Sequence, residues 1–324
     1  PASWSYISET STSTKRASNI GISQFAWSCG PAIIFILSLV MSFIIPGFES
    51  DGTTLLPAGT YGPFDGMLAT RLLFLVLFIV ALIAWNLQRQ LKQSFGKMMA
   101  TALKNPVNVK TIIFLVAVYL TWNLAAGTNG QFMPYLYAAA GNIDATGQSL
   151  LGVVQWVLVA VCSLAIFSRF GDIVSHRVLF GASALLALLS WVAIAVFGLA
   201  IQSGDTESMG WVLWVYVILW GISAGFSAQC FYALWGTELF PTQYRGGAQG
   251  IMFFLVRGAL GIWSLVGVGA IMGDISTNPA GFFPAAVIMC VVLLISLVVG
   301  VIWCPKTQGK TLDQITEERY GKIE

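Results

Sequence analysis

Among the polar residues inside stretches otherwise apolar enough to cross a membrane, five amides and one arginine are singled out: Gln24, Asn123, Asn129, Gln155, Gln229 and Arg257. An amide side chain offers two donors and an acceptor without carrying charge, which suits it to a hydroxyl-bearing solute. Inside hydrocarbon it is costly unless paired, so polar residues facing the interior of a helical bundle are candidates for a solute path. The same residues also suit a plain hydrogen bond between helices. Arg257 lies twelve residues beyond Arg245, roughly 18 Å further along a helix. A charge at that depth costs on the order of 3 kcal/mol unless it faces a polar cavity or a partner.

A second pattern is repeated. SETSTSTKRASNIG and TELFPTQYRGGAQG each place a Glu seven residues before an Arg: Glu9 with Arg16, and Glu238 with Arg245. An acid closing one helix and a base opening the next are expected to pair across the tight loop between them. Two copies in one chain point to a duplicated bundle.

Other chemistry is poorly supplied. His176 is the only histidine, so no Ser/His/Asp triad or histidine-rich metal site is expected. Cys29, Cys162, Cys230, Cys290 and Cys304 form no Cys-x-x-Cys pair and read as small apolar packing residues. Gly309–Lys310–Thr311 matches the end of a phosphate loop, but Cys304 stands where its first glycine belongs. No paired carboxylates lie within the spans. The expectation is a chain that is no enzyme and needs no cofactor or metal.

The elements that must position these residues follow from composition. Of 324 residues 57% are hydrophobic and 9% charged, against roughly 25% charged in soluble domains. That balance indicates an all-α polytopic membrane protein, and a net charge of +2 gives no basic patch for nucleic acid. Runs of about 20 apolar residues occur near 19–45, 68–87, 110–126 (continuing brokenly to 140), 149–167, 176–201, 210–234, 246–272 and 282–304. These are about eight spans, preceded by the end of a ninth.

Charge orients them. Lys15, Arg16, Arg89, Lys92, Lys97, Lys104, Lys110, Arg169, Arg177, Arg245, Lys306, Lys310, Arg319 and Lys322 fall in alternate loops and the tail, while Glu49, Asp51, Asp65, Asp144, Asp205, Glu207 and Asp274 fall in the others. By the positive-inside rule both ends of the chain are expected in the cytoplasm. In SFGKMMATALK, Phe95, Met98, Met99, Ala102 and Leu103 recur at helical spacing opposite Lys97 and Lys104. That predicts an amphipathic helix on the inner membrane surface. The implied organisation is residues 1–88 as the remainder of an N-terminal bundle, 89–109 as a linker, 110–304 as a six-helix bundle and 305–324 as a cytoplasmic tail.

These motifs resemble the major facilitator superfamily and, within it, the sugar porter family, over essentially the whole chain. YISET-x(6)-R looks like the end of that family's fourth helix, and ELFPTQYRG is similar to its counterpart after the tenth. SRFG at 168–171 resembles the basic loop between helices eight and nine, and PKTQGKTLDQI at 305–315 resembles the signature after helix twelve. By this register the chain starts in the fourth helix and ends at the family's C-terminus. There are departures. Ser168 stands where the family has an acid, Leu124 replaces a glutamine, and Ala233 with nearby Trp235 replaces a Pro-Trp pair.

What the resemblance implies is a secondary transporter working by alternating access. Gln24, Asn123, Asn129 and Gln155 match or neighbour amide positions of the family's site, and Gln229 is a weaker candidate of the same kind. The segment around Gly127, Gly130 and Pro134 resembles a broken seventh helix acting as a gate, with a merely kinked structural helix as the alternative. Phe25, Trp27, Trp156 and Trp235 read as packing aromatics, with sugar-stacking platforms as the alternative. Glu9, Arg16, Arg169, Glu238 and Arg245 would form inner latches. Three partners are open to Arg257: an acid on the family's first helix, the carbonyls of a broken helix, or an anionic substrate. The expected substrate is a polyhydroxylated solute, a sugar or inositol-like polyol, with proton symport. Alternatives are a sugar acid or carboxylate held by Arg257, and a membrane sensor without flux. Short loops point to a bacterial inner membrane.

Overall fold

A computed structural model describes residues 2–48, 54–58, 71–72, 75–79, 82–83, 86, 100–139, 143–273 and 279–321. Helices dominate. In chain order they are α1 (Ala2–Thr10), α2 (Arg16–Ile44), α3 (Pro106–Ala139), α4 (Ala145–Cys162), α5 (His176–Ser203), α6 (Trp211–Gly225), α7 (Ala228–Glu238), α8 (Thr242–Ile262), α9 (Phe282–Ile302) and α10 (Leu312–Tyr320). α4 continues through a π turn at Ser163–Phe167, and α8 through another at Trp263–Gly267. The fold is all-α as expected; a short bridge in which β1 (Gly47–Phe48) pairs antiparallel with β2 (Leu55–Leu56) lies just beyond α2.

Seven helical segments of the described residues are long and apolar enough to cross a membrane. Of the span expected at 68–87, residues 71–72, 75–79, 82–83 and 86 are described, all of them helical, while most of the amphipathic helix expected around Phe95–Leu103 lies outside the described residues. α6 and α7 together make one span, Trp211–Glu238.

Local chemistry sets several boundaries. Asp144 accepts a hydrogen bond from the Gly147 amide and caps α4, satisfying one of the unpaired donors at a helix start. Thr311 and Gln314 form a capping box at the start of α10. Gly204 ends α5 with φ of 78°, a conformation glycine adopts without steric cost.

Two departures concern helix breaks. The expected interruption at Gly127, Gly130 and Pro134 does not occur, and α3 runs unbroken through all three. Pro134 removes one backbone donor, and the residue four before it is Gly130, whose missing Cβ would meet nothing within 4 Å. The break falls instead between α6 and α7, where Phe226 and Ser227 leave helical geometry. The Ser227 hydroxyl donates to the Ala224 carbonyl at 3.1 Å and accepts from the Gln229 amide at 3.4 Å. One side chain thereby serves the end of α6 and the start of α7.

The helices pack in a chain of neighbours, α9 against α5, α5 against α6, α6 against α4, and α4 against α2, while α3 lies between α9 and α8. Small residues allow the closest approaches. A Cβ on Gly225 would lie 2.5 Å from the Cys162 Cβ, and one on Gly221 would lie 3.1 Å from the Gln155 carbonyl oxygen. These two glycines, one helical turn apart, let α6 lie directly on α4. The interior is aromatic. Trp4, Tyr232, Tyr119, Trp122, Trp220, Tyr216 and Trp191 form a continuous series of ring contacts, with Tyr119 stacked on Tyr232 at 4.3 Å. Outward faces carry exposed residues such as Phe254 and Leu265, as surfaces turned to lipid do.

Candidate functional site

The six polar residues singled out within the spans all border one cavity of about 170 Å³. Gln24 comes from α2, Asn123 and Asn129 from α3, Gln155 from α4, Gln229 from the first turn of α7 and Arg257 from α8. Asn123, Ala126, Gly127 and Gly130 follow the i, i+3, i+4, i+7 spacing of a single helix face, so α3 turns one stripe toward the cavity. The break after Phe226 brings Gln229 to the same level.

Hydrogen bonds already fix part of this wall. The Gln229 amide donates to Gln24 Oε1 at 3.4 Å, linking α7 to α2. Tyr216 donates its hydroxyl to Asn129 Oδ1 at 2.6 Å, which leaves the Asn129 amide free to donate. Two buried atoms of cavity-bordering residues have no partner among the described residues: Asn123 Oδ1, an acceptor, and Trp122 Nε1, a donor. Leaving such groups unpaired costs about 1–3 kcal/mol each. A hydroxyl satisfies either, donating to Asn123 or accepting from Trp122, whereas a carboxylate satisfies only the donor.

Aromatic rings complete the wall. Trp27 and Trp156 meet edge to face at 5.8 Å, and Trp122 stacks on Trp220 at 6.0 Å. All four border the cavity. Trp235 does pack, donating from Nε1 to His176 Nδ1 at 3.4 Å. A second hollow of about 250 Å³ shares Asn129, Gly130, Gln155 and Trp156 with the first. It continues past Met133, Pro134 and Tyr137, away from the end of the bundle that carries Arg16 and Arg245. Arg257 is exposed and makes no ion pair among the described residues.

Two ion pairs hold that basic end together. Arg16 Nη1 lies 2.9 Å from Glu238 Oε1, with side chains 3% and 4% exposed, and Arg245 Nη1 lies 2.5 Å from Glu9 Oε1. The pairs are therefore crossed between the two sequence repeats, and the expected pairs within each loop, Glu9 with Arg16 and Glu238 with Arg245, do not form. The physical reason is packing: α1 lies against α7 and α8, and α2 against α7, so each acid meets the opposite repeat. Arg16 also donates to the Lys310 carbonyl at 3.5 Å, and Arg245 to that of Phe240 at 3.2 Å.

Arg169 is not brought to this cluster. It is exposed, with its guanidinium 6.0 Å from the Phe170 ring. A residue the sequence reading missed acts from the same loop. Asp172 accepts from the backbone amides of Ala17 at 2.9 Å and Ser18 at 2.8 Å, capping the start of α2. The signal was its position, four residues beyond the Ser168 that replaces the family's acid. Burial pushes the Asp172 carboxyl above the usual carboxylate range; the two amides, His176 and Arg16 oppose that shift. Gln308 donates to the Asp172 and Val174 carbonyls at 2.9 and 3.0 Å, so the tail after α9 straps the same loop.

No family model matches the chain. It is similar to the minor myo-inositol transporter IolF of Bacillus subtilis (strain 168), with 33% identity over 340 aligned positions that cover 99% of this chain and 69% of the relative. With that relationship, the seven membrane-length helices and the repeated acid–base loops, the chain is a multi-pass membrane protein that belongs to the sugar porter family of the major facilitator superfamily.

Proposed function

We propose that this protein is a secondary active transporter that carries a neutral polyhydroxylated solute, an inositol-like polyol or sugar, by alternating access. The observation that carries this reading is the pair of buried, unpartnered atoms on two residues that border the cavity, Asn123 Oδ1 and Trp122 Nε1. An acceptor and a donor both met by hydroxyl groups favour a polyol. The amides of Gln24, Asn129, Gln155 and Gln229 add uncharged contacts, and the rings of Trp27, Trp156 and Trp220 offer faces to the C–H side of a cyclic polyol. The similarity to a myo-inositol transporter supports the same substrate class.

In this reading the basic end faces the cytoplasm of a plasma membrane, with the C-terminal helix α10 on that side. Residues 1–88 and 110–304 act as two bundles joined by 89–109. The crossed pairs Arg16–Glu238 and Arg245–Glu9 clamp the bundles at the inner end, while the hollow past Pro134 leads outward. The arrangement is then that of an outward-facing carrier. Proton symport is the proposed coupling.

A second reading rests on Arg257, a cation on the cavity wall with no ion-pair partner among the described residues. It would hold the carboxylate of a sugar acid or organic acid. Uptake of labelled myo-inositol into proteoliposomes, challenged by neutral polyols and by sugar acids, separates the two. Inhibition by neutral polyols alone is the expected result, and inhibition by anions alone would replace the first reading with the second. Flux of neither class under an imposed proton gradient would exclude both.

A further inference from the structure

A groove of about 490 Å³ opens at the basic end between α3 and α9, separate from the transport cavity. Its chemistry changes along its length. Lys110 and Arg319 stand at one side, and Ile113, Ala117, Val299 and Trp303 supply an apolar wall. On α3 the residues Lys110, Ile113, Phe114 and Ala117 follow i, i+3, i+4, i+7, so a single helical stripe runs from a cation into apolar side chains. Ile113 and Trp303 are 64% and 65% exposed, as befits the outer surface of a span end where aromatic residues meet the membrane boundary.

The cations are poorly answered within the protein. Neither Lys110 nor Arg319 forms an ion pair among the described residues. Arg319 donates to the Thr111 hydroxyl at 2.5 Å, and its Nε has no partner. Glu318, the adjacent acid, is taken by Lys310 at 2.6 Å. Two positive groups above an apolar slot match an anionic headgroup above an acyl chain.

We propose that this groove binds one anionic phospholipid, its phosphate between Lys110 and Arg319 and one acyl chain along Ile113, Ala117 and Val299. The lipid bridges α3 to α10, which is itself docked through the Tyr320 hydroxyl donating to Asn108 Oδ1 at 2.6 Å and to the Leu239 carbonyl at 3.1 Å. Because the tail also holds Arg16 through the Lys310 carbonyl, the bound lipid supports the closed basic end. The inference rests on membership of a membrane family and is independent of the solute carried.

The test is native mass spectrometry of the full chain in detergent, supplied with phosphatidylglycerol and phosphatidylcholine at equal concentration. One retained phosphatidylglycerol per protein, in preference to phosphatidylcholine, is expected. Lys110→Gln should weaken that retention about fivefold, the effect of one surface cation, whereas Lys110→Arg should keep it. Lys110 is exposed, so the substitution leaves packing intact, and an unchanged melting temperature in lipid-free detergent verifies this. Equal retention of both lipids, retention unaffected by Lys110→Gln, or displacement by an equal concentration of inorganic phosphate would each overturn the proposal.

Discussion

Arg16 reaches across the bundle to Glu238, 222 positions away in sequence, at 2.9 Å, and passes over Glu9, its own neighbour in the repeated motif. The exchange joins α2 to α7, while Arg245 and Glu9 join α8 to α1. A pair within one loop would tie a helix only to its sequence neighbour. The crossed pairs tie segments from the two repeats together, which is what a closure between bundles requires.

Breaking the buried pair should be costly to the closed end. Glu238→Gln leaves Arg16 buried without its counter-charge, a loss of about 3–5 kcal/mol for an interior pair. Net uptake should slow more than solute binding weakens, because the closed-end state is depleted while the cavity is untouched. Equal loss of rate and affinity would remove the latch role from Glu238. Glu9→Gln should have a smaller effect, since Glu9 is 42% exposed and pairs in higher-dielectric surroundings.

A double-mutant cycle on melting temperature distinguishes crossed from local pairing. Arg16→Met combined with Glu238→Met should show a coupling of about 0.5–3 kcal/mol, as for residues in direct contact. Arg16→Met combined with Glu9→Met should be close to additive. Strong coupling in the second cycle and none in the first would contradict the crossed geometry.

Asp172 should make its own mark on pH dependence. Its carboxyl titrates above the ordinary 3.8 when folded, because burial outweighs the Ala17 and Ser18 amides. Between 3.8 and the raised value the folded protein holds that proton more tightly than the unfolded chain does. Stability from this group is therefore lost as pH rises through the window and is flat below it. Asp172→Asn, which still offers an acceptor to the helix start, should remove that slope. A slope that survives the substitution would assign it to another group.

The glycine contact between α6 and α4 is testable by volume. Gly225→Ala forces a methyl group to within 2.5 Å of the Cys162 Cβ, so α6 must shift, at a cost of about 1–3 kcal/mol for overpacking. Gly258→Ala provides the contrast, since a Cβ there meets nothing within 4 Å. Comparable melting temperatures for the two variants would show that the close approach does not hold in solution.

The spans were legible because they depend on residue type, and the polar wall because the family resemblance picked out which amides within them to follow. A run of about 20 apolar side chains has one comfortable solvent, and a polar residue within it has few places to go, which is why all six intramembrane candidates from Gln24 to Arg257 reach one cavity. What stayed hidden depends on tertiary placement. Motif spacing makes Glu9 and Arg16 look like partners, yet α1 packs on α7 and α8. The break at Phe226 and Ser227 was obscured because Gly127, Gly130 and Pro134 offered a stronger local signal, although α3 accommodates all three without interruption. Trp27 and Trp156 read as packing residues because an indole in a span serves lipid, core and cavity equally well. Asp172 was missed since its partners are backbone amides of a distant helix.

The most direct test of hydroxyl recognition is the affinity of the purified transporter for myo-inositol, compared between the native chain and Trp122→Phe. This change removes the unpartnered indole donor together with part of the ring volume, and retains an aromatic ring. A bound hydroxyl that accepts from Trp122 should make the variant about tenfold weaker, the equivalent of one hydrogen bond at ~1.4 kcal/mol, with glucuronate ineffective as a competitor in both. Unchanged affinity in the variant, with glucuronate displacing the ligand from the native chain, would contradict the polyol site and give its place to an anion held by Arg257.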